Sequence, residues 1–144
     1  MNQNEEIRVL YVQPDKYPEV IRIPNTLETF QKYVGGGIGY VTLDREAVAI
    51  FNDEGKLLPL PPNRLYGETD FFAGAFLICG DGDEDLINLT DSQVKKYEKE
   101  YHSPLIFLEL YPKPITLKCT PEMYARCMGE EHQYDVQENE QDER

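Results

Sequence analysis

The sequence has no tryptophan and no long apolar run, and cysteine and histidine are scarce. Its 144 residues include three Cys and two His. No stretch approaches the roughly 18 consecutive apolar residues that a membrane-spanning helix needs. The polar start MNQNEE has neither the basic nor the apolar part of a signal peptide. We therefore expect a cytoplasmic protein without a membrane association.

The few cysteines and histidines show no spacing that is typical of a reactive or metal-binding site. Cys79, Cys119 and Cys127 are odd in number and form no CxxC pair, which is typical of reduced thiols that pack in a core. His102 and His132 lie outside any metal or triad spacing. We therefore expect no metal, no cofactor and no catalytic residue, and the protein is predicted not to be an enzyme.

Positive charge is also scarce. The sequence has 14 Lys and Arg residues and 27 Asp and Glu residues, which gives a net charge of −13. This surplus repels phosphate backbones, so direct binding to nucleic acid is not expected. Residues 129–144 contain seven acidic residues and one Arg, and they are predicted to form an acidic disordered tail. The apolar content of 40% suffices for one core, which predicts a single domain over residues 1–128.

Alternating or continuous apolar runs predict the strands. Residues 6–12 and 20–23 are expected to form a β-hairpin, and a turn at 52–55 is expected to return the chain into a strand at 56–58. The continuous run at 71–80 predicts a central strand that is buried on both faces. The remaining strands are predicted at 38–43, 47–51, 105–111 and 115–119.

Two amphipathic helices are expected between these strands. Asn25 and Glu28 have the spacing of a capping box, and the glycine run at 35–37 would end the first helix. Thr90 and Gln93 form a second capping box at the start of the other helix. The expected fold class is thus α+β, with a mostly antiparallel sheet of about five to seven strands and two main helices packed on it.

A third, short helix is expected at residues 121–128, because Thr120 can cap it and Pro121 suits its first position. Its place in the chain is within an extension that covers residues 104–128.

Two patterns are similar to ligand sites but favour a structural interpretation. Gly35, Gly36 and Gly37 could approach a phosphate, yet they follow a helix instead of preceding one. The DGDED segment at 81–85 has the carboxylate spacing of a calcium loop, but Leu86 stands where such a loop has glycine. We interpret these segments as a helix cap and a solvated turn.

Asn63 and Arg64 are the best candidates for a functional site. They lie in the segment 59–70 (PLPPNRLYGETD), which is predicted to be an irregular crossing because of its three prolines. Arg64 offers a forked cation, and Asn63 tolerates unusual backbone angles, so the pair could face a cleft. In the structural alternative, Arg64 pairs with a carboxylate and Asn63 makes a turn.

Several motifs together resemble a known family, the domain of unknown function 3846, over about residues 7–101. The resemblance implies a small accessory protein of phages, conjugative elements or bacterial genomes, and it implies no activity. The motifs that carry it are VQP at 12–14, NTLETFQKYVGGGI at 25–38, FNDEGKLLPLPPNR at 51–64, AGAFLI at 73–78 and LTDSQVKKY at 89–97.

Two functional hypotheses follow. In the first, a non-enzymatic accessory protein binds a protein partner, such as a basic or DNA-handling protein, because its acidic surface mimics the charge of nucleic acid. In the second, Asn63, Arg64 and the backbone amides of Gly35–Gly37 meet across a pocket or subunit interface to bind a nucleotide. The sequence leaves the oligomeric state open, and a homodimer is compatible with it.

Overall fold

The computed structural model describes residues 5–109 and 115–128. These residues form an α+β structure with a mostly antiparallel central sheet, two smaller sheets and three helices. The predicted tail at 129–144 and the end of the predicted strand 105–111 lie outside the described residues. The strands are β1 (Glu6–Val12), β2 (Glu19–Pro24), β3 (Ile38–Asp44), β4 (Ala47–Asn52), β5 (Pro62–Tyr66), β6 (Asp70–Ala73), β7 (Phe76–Asp81), β8 (Leu86–Ile87), β9 (Leu105–Leu108) and β10 (Ile115–Lys118). The helices are α1 (Leu27–Val34), α2 (Asp91–Glu100) and α3 (121–128).

The central sheet has the strand order β2-β1-β7-β4-β3, and β8 pairs with β7. The hairpin of β1 and β2 is confirmed, with Val9 opposite Ile21. The central position predicted within 71–80 is confirmed for β7, which lies between β1 and β4. Leu77 and Ile78 point to opposite faces of the sheet and are both fully buried.

Each face of the central sheet is covered by one helix. Phe30 and Val34 of α1 pack on one face, and Val94, Tyr97 and Tyr101 from α2 and its end pack on the other. The sheet contributes two sets of apolar residues that interleave along its strands. On the α1 side these include Ile7, Val9, Ile50 and Leu77, and on the α2 side Leu10, Ala49, Phe76 and Ile78.

Both helix starts carry side-chain caps, but the first cap differs from the prediction. Thr26, and not Asn25, accepts the hydrogen bond from the amide of Thr29, at 3.2 Å. Asn25 is buried, and its Nδ2 donates to the carbonyl of Leu86 instead. The predicted box of Asn25 and Glu28 is therefore wrong by one residue, because β8 holds the Asn25 side chain.

The other helix boundaries agree with the prediction. Thr90 and Gln93 make both hydrogen bonds of the capping box at α2. Gly35 ends α1 in the left-handed conformation with φ of 85°. Thr120 accepts from the amide of Met123 at 3.1 Å, as expected for the cap of α3.

The predicted strand at 56–58 is absent. The predicted turn is present, since the amide of Gly55 donates to the carbonyl of Asn52 at 3.1 Å. The chain then continues to turn, and Leu57 and Leu58 are exposed. The physical reason is that β3 and β7 already occupy both edges of β4, which leaves no backbone for a returning strand to bind.

The predicted irregular crossing at 59–70 is wrong. Residues 62–66 of this segment form β5, and residue 70 begins β6. β5 pairs with β6, and Pro62 is tolerated because it is the first residue of its strand. The predicted long strand 71–80 is divided into β6 and β7 by Gly74, which has φ of 81°. A side chain there would also collide with Leu60, whose Cδ1 lies 2.7 Å from the position of an added Cβ.

The C-terminal part of the described chain adds a second small hairpin, in which β9 pairs with β10. Its closest neighbour among the strands is β5, so the two small sheets lie side by side. Within the described ranges, no helix combines the length and apolarity that crossing a bilayer requires.

Candidate functional site

Arg64 is 2% exposed and acts as a clamp between three segments that are distant in sequence. Its Nε donates to the carbonyl of Tyr101 at 2.9 Å, at the end of α2. Its Nη2 donates to the carbonyl of Lys16 at 2.8 Å, and its Nη1 donates to Oδ1 of Asn63 at 2.8 Å and, weakly, to the carbonyl of Gln13 at 3.4 Å. Arg64 thus ties the β1–β2 turn and the end of α2 to β5.

Asn63 is fully buried and completes this cluster. The register of β5 and β6 shifts between Pro62 and Arg64, so Asn63 occupies a bulge, which can redirect a side chain. Its Nδ2 donates to the carbonyls of Val12 at 3.0 Å and Gly74 at 2.9 Å. The two side chains donate to carbonyl and amide oxygens, which differs from the carboxylate partner of the structural alternative.

Burial lowers the pKa of Arg64 to about 10. The guanidinium remains protonated at neutral pH, because that pKa is still well above 7. The carbonyl oxygens around it supply the negative ends of peptide dipoles, which compensate for the lost water.

The glycine run contacts a different part of the fold. Nδ2 of Asn52 donates to the carbonyl of Val34 at 3.2 Å and would lie 2.9 Å from a Cβ added at Gly36. The amide of Asp53 donates to the carbonyl of Gly37 at 3.1 Å. The glycines therefore pack on the end of β4, whereas Asn63 and Arg64 pack on the end of β1 and on α2. A joint ligand-binding role for these two groups stays a prediction.

A cleft of about 460 Å³ lies beside Arg64 and concentrates positive charge. Lys99, Lys118, His102 and Glu100 line it together with the loop that connects β5 to β6. Both lysines are exposed. The cleft can therefore attract an anion locally even though the molecule as a whole is acidic.

A second cleft, of about 350 Å³, lies between the turn after β4 and the strand β6. Asp53, Glu54 and Asp70 bring carboxylates to it, and Lys56 pairs with Asp70 while lying 4.6 Å over the ring of Phe71. The hydrogen bond from Lys56 lowers the pKa of Asp70. The aromatic wall of this cleft consists of Tyr40, Phe51, Tyr66, Phe71 and Phe72.

A third cleft, of about 240 Å³, contains the acidic turn 81–85. Leu27, Phe30 and Tyr40 form its apolar side. Oδ1 of Asp81 accepts from the amide of Asp83 at 3.0 Å, so part of the turn is held by its own backbone. Across the described part of the chain, no group of three His, Cys, Asp or Glu side chains is placed to hold a metal ion.

Tyr40 lines both acidic clefts and is 59% exposed. The second cleft includes Phe72, which belongs to the α2 side of the sheet, and the third includes Phe30, which belongs to the α1 side. The edge strand β3 therefore runs between two groups of carboxylates on opposite faces. We call these seven residues the acidic rim: Asp53, Glu54, Asp70, Asp81, Asp83, Glu84 and Asp85.

Lys56 is the one cation among the residues that line these two clefts. It pairs with Asp70. Because seven carboxylates stand against this single lysine, the lining of the two clefts has an excess of negative charge. Such an arrangement attracts cationic groups and offers Tyr40 as an aromatic surface for them. The rim is not visible in the sequence, since its members come from three separate segments that only the fold brings to one edge.

The cysteines that lie in the core are poor nucleophiles. Burial raises the pKa of Cys79 to about 12, and it also raises the pKa of Cys119. A thiol with a raised pKa has little thiolate at neutral pH. Cys127 is exposed.

One family model matches the chain, and it covers residues 7–102. It is described as a domain of unknown function, DUF3846, and it confirms the resemblance seen in the sequence motifs. Its range runs from β1 to the end of α2 and includes the whole acidic rim. No curated protein and no solved structure matches the chain.

Proposed function

This chain belongs to the DUF3846 family, and from that premise we propose that it is a non-enzymatic, cytoplasmic accessory protein that binds a cationic protein partner through the acidic rim. The role as an accessory of a phage or other mobile element is part of this proposal and comes from the resemblance. The observation that carries the proposal is the rim itself, with seven carboxylates and one paired lysine around β3.

The position of the rim supports recognition of a partner surface. The carboxylates of Asp53, Glu54 and Asp83 belong to exposed residues, so a partner can reach them without opening the fold. Their charges add to a net charge of −13, which steers basic molecules toward the protein over about one Debye length, or roughly 10 Å at 0.1 M salt. Basic surfaces that normally bind nucleic acid are partners of this kind.

A rim variant tests the proposal. The substitutions Asp53→Asn, Glu54→Gln and Glu84→Gln remove three rim charges at exposed positions. A matched control removes three exposed charges that lie outside the clefts, with Glu5→Gln, Glu6→Gln and Glu122→Gln. Both variants change the net charge equally, so they differ only in where the charge is lost.

The measurement is affinity capture from bacterial lysate at about 0.01 M salt, where the Debye length is about 30 Å. The native protein and the control variant should retain the same basic proteins, and the rim variant should lose them. Capture of the same proteins by the rim variant, or of none by the native protein, would contradict the proposal.

A second candidate function is the binding of a nucleotide or another anionic small molecule. The specific observation that favours it is the cleft beside Arg64, where Lys99 and Lys118 face the connection between β5 and β6. As in the prediction, this site includes residues of segment 59–70. The other groups that would bind the anion are lysines, and not the amides of Gly35–Gly37. The acidic clefts are unsuitable for a phosphate because their carboxylates would repel it.

Thermal unfolding with a panel of nucleotides tests this candidate. A ligand present at about 100 times its dissociation constant should stabilise the protein by about 2.7 kcal/mol. The double variant Lys99→Gln, Lys118→Gln should lose that stabilisation, while Lys32→Gln on α1 should keep it. A panel without any effect on the native protein would remove this candidate.

A further inference from the structure

The outer edge of β3 carries backbone groups that no described strand uses. β3 ends the sheet and pairs with β4 alone among the described strands. The amide of Asp53 donates to the carbonyl of Gly37, which fixes the backbone groups of residue 37 toward β4. Because the direction alternates along an antiparallel strand, Gly39 and Val41 also face β4. The N–H and C=O groups of Ile38, Tyr40 and Thr42 therefore point outward.

The two edges of the central sheet differ in their protection. At the opposite edge, β2 carries Glu19, Arg22 and Pro24, and charged residues and proline are the usual means of blocking an edge. β3 has neither a charge nor a proline from Ile38 to Leu43. Its register shifts only between Thr42 and Asp44, at its end. The edge of β3 is thus the one suited to accept another strand.

The charges that flank this edge define what could bind there. A strand added beside β3 would point its side chains alternately to the two faces of the sheet. On one face it would meet Asp53 and Glu54, and on the other face the turn 81–85. A segment with lysine or arginine on both faces complements these carboxylates, whereas an acidic segment would be repelled.

We propose that β3 is the docking site for an extended segment of the cationic partner, rich in lysine or arginine, which adds to the central sheet as an antiparallel or parallel strand. This inference rests on the proposed partner binding and specifies how it occurs. Backbone hydrogen bonds to Ile38, Tyr40 and Thr42 hold the segment, and the acidic rim selects it by charge. Addition of a strand to a free edge is a common mode of peptide recognition.

The probe is a fluorescent peptide of about nine residues with lysine at every third position and valine or threonine between, so that the lysines reach both faces. Its N-methylated counterpart keeps the charges but lacks the backbone donors. In the protein, Thr42→Pro removes an outward N–H, and Thr42→Val keeps that N–H while removing the hydroxyl. Proline is tolerated at an edge position whose N–H points away from the sheet.

Fluorescence anisotropy should show binding of the lysine peptide to the native protein and to Thr42→Val. The affinity should fall at least about tenfold, equivalent to about 1.4 kcal/mol, for Thr42→Pro and for the N-methylated peptide. The methylated peptide is measured on the native protein, so that this arm does not depend on how the proline variant folds.

Three outcomes overturn the inference. Equal affinities for the two peptides, or no affinity for either, would show that the edge does not bind by its backbone. In that case the capture experiment with the rim variant still decides the proposed function independently. A dimer in sedimentation that Thr42→Pro dissociates would mean that a second copy occupies the edge.

Discussion

Substitution of Arg64 by alanine should destabilise the fold strongly, because the side chain holds three separate segments together. It makes hydrogen bonds of 2.8–2.9 Å to the carbonyls of Tyr101 and Lys16 and to Oδ1 of Asn63. The side chain is 2% exposed although it borders the cleft, so its acceptors are largely shielded from bulk water. Removal of the guanidinium leaves two buried acceptors, on Tyr101 and Asn63, and the partly buried carbonyl of Lys16 without this partner.

The magnitude follows from those acceptors. A buried polar group without a partner costs about 1–3 kcal/mol, so three of them at the low end give about 3 kcal/mol. The cavity left by the side chain adds further cost, which the relief from burying a charge partly offsets. We expect a loss of about 3–5 kcal/mol, a large share of the 5–15 kcal/mol that is typical of a domain.

Urea unfolding followed by far-ultraviolet circular dichroism measures this loss. With an m-value of about 2 kcal/mol per molar, the midpoint should fall by about 1.5–2.5 M. Arg22→Ala, at an exposed position on β2, is the matched control and should cost less than about 0.5 kcal/mol. The reasoning is refuted if Arg64→Ala costs no more than Arg22→Ala.

Three further predictions concern single groups. The hydrogen bond from Tyr97, and after it the one from Lys96, lowers the pKa of Asp44 to about 2. The ionised carboxylate therefore stabilises the fold above pH 3.8, and this contribution is lost as the pH falls toward 2. Tyr97→Phe should cost about 1 kcal/mol at pH 7, after allowance for solvent screening, and less at pH 2, as measured by urea unfolding at both pH values. A thiol reagent should modify exposed Cys127 quickly and buried Cys79 only on unfolding. Equal rates of modification would contradict the burial of Cys79 in the core. Gly35→Ala should cost about 1–2 kcal/mol in thermal unfolding because of its φ of 85°, and a neutral effect would argue against the left-handed cap.

The parts of the fold that depend on local pattern were predicted correctly from the sequence. The first hairpin, α1 with its glycine end, the pair β3 and β4, and α2 with its capping box all agree with their periodicities. In each of these, the apolar period and the boundary residues indicate the same element. The single-domain organisation over residues 1–128 stays a prediction.

The errors arose where a distant contact decides the local structure. Three prolines indicated a loop at 59–70, but β6 supplies the partner that makes a strand of 62–66. The apolar run 71–80 gave no sign of the positive φ at Gly74 or of the close approach of Leu60 to it. Periodicity records which residues are apolar, and it does not record which backbone groups already have a neighbour.

The candidate site was harder to foresee for the same reason. The sequence singled out Asn63 and Arg64, but their partners are mainly backbone carbonyls of residues 12, 13, 16, 74 and 101. Every residue has a carbonyl, so no residue type signals such a partner. The acidic rim is similar, because its three segments, 53–54, 70 and 81–85, reach the two faces of one sheet edge only after the sheet has formed.

The two contributions proposed for partner binding have different dependences on salt, and this separates them. The attraction of the rim is a charge effect that ions screen, as the Debye length falls from about 30 Å at 0.01 M to about 10 Å at 0.1 M salt. The backbone ladder at β3 joins neutral groups and is little affected by such screening. For the lysine peptide, the affinity ratio between native protein and rim variant should therefore shrink as salt rises. The ratio between Thr42→Val and Thr42→Pro should stay constant, and a parallel decline of both ratios would mean that charge alone holds the peptide.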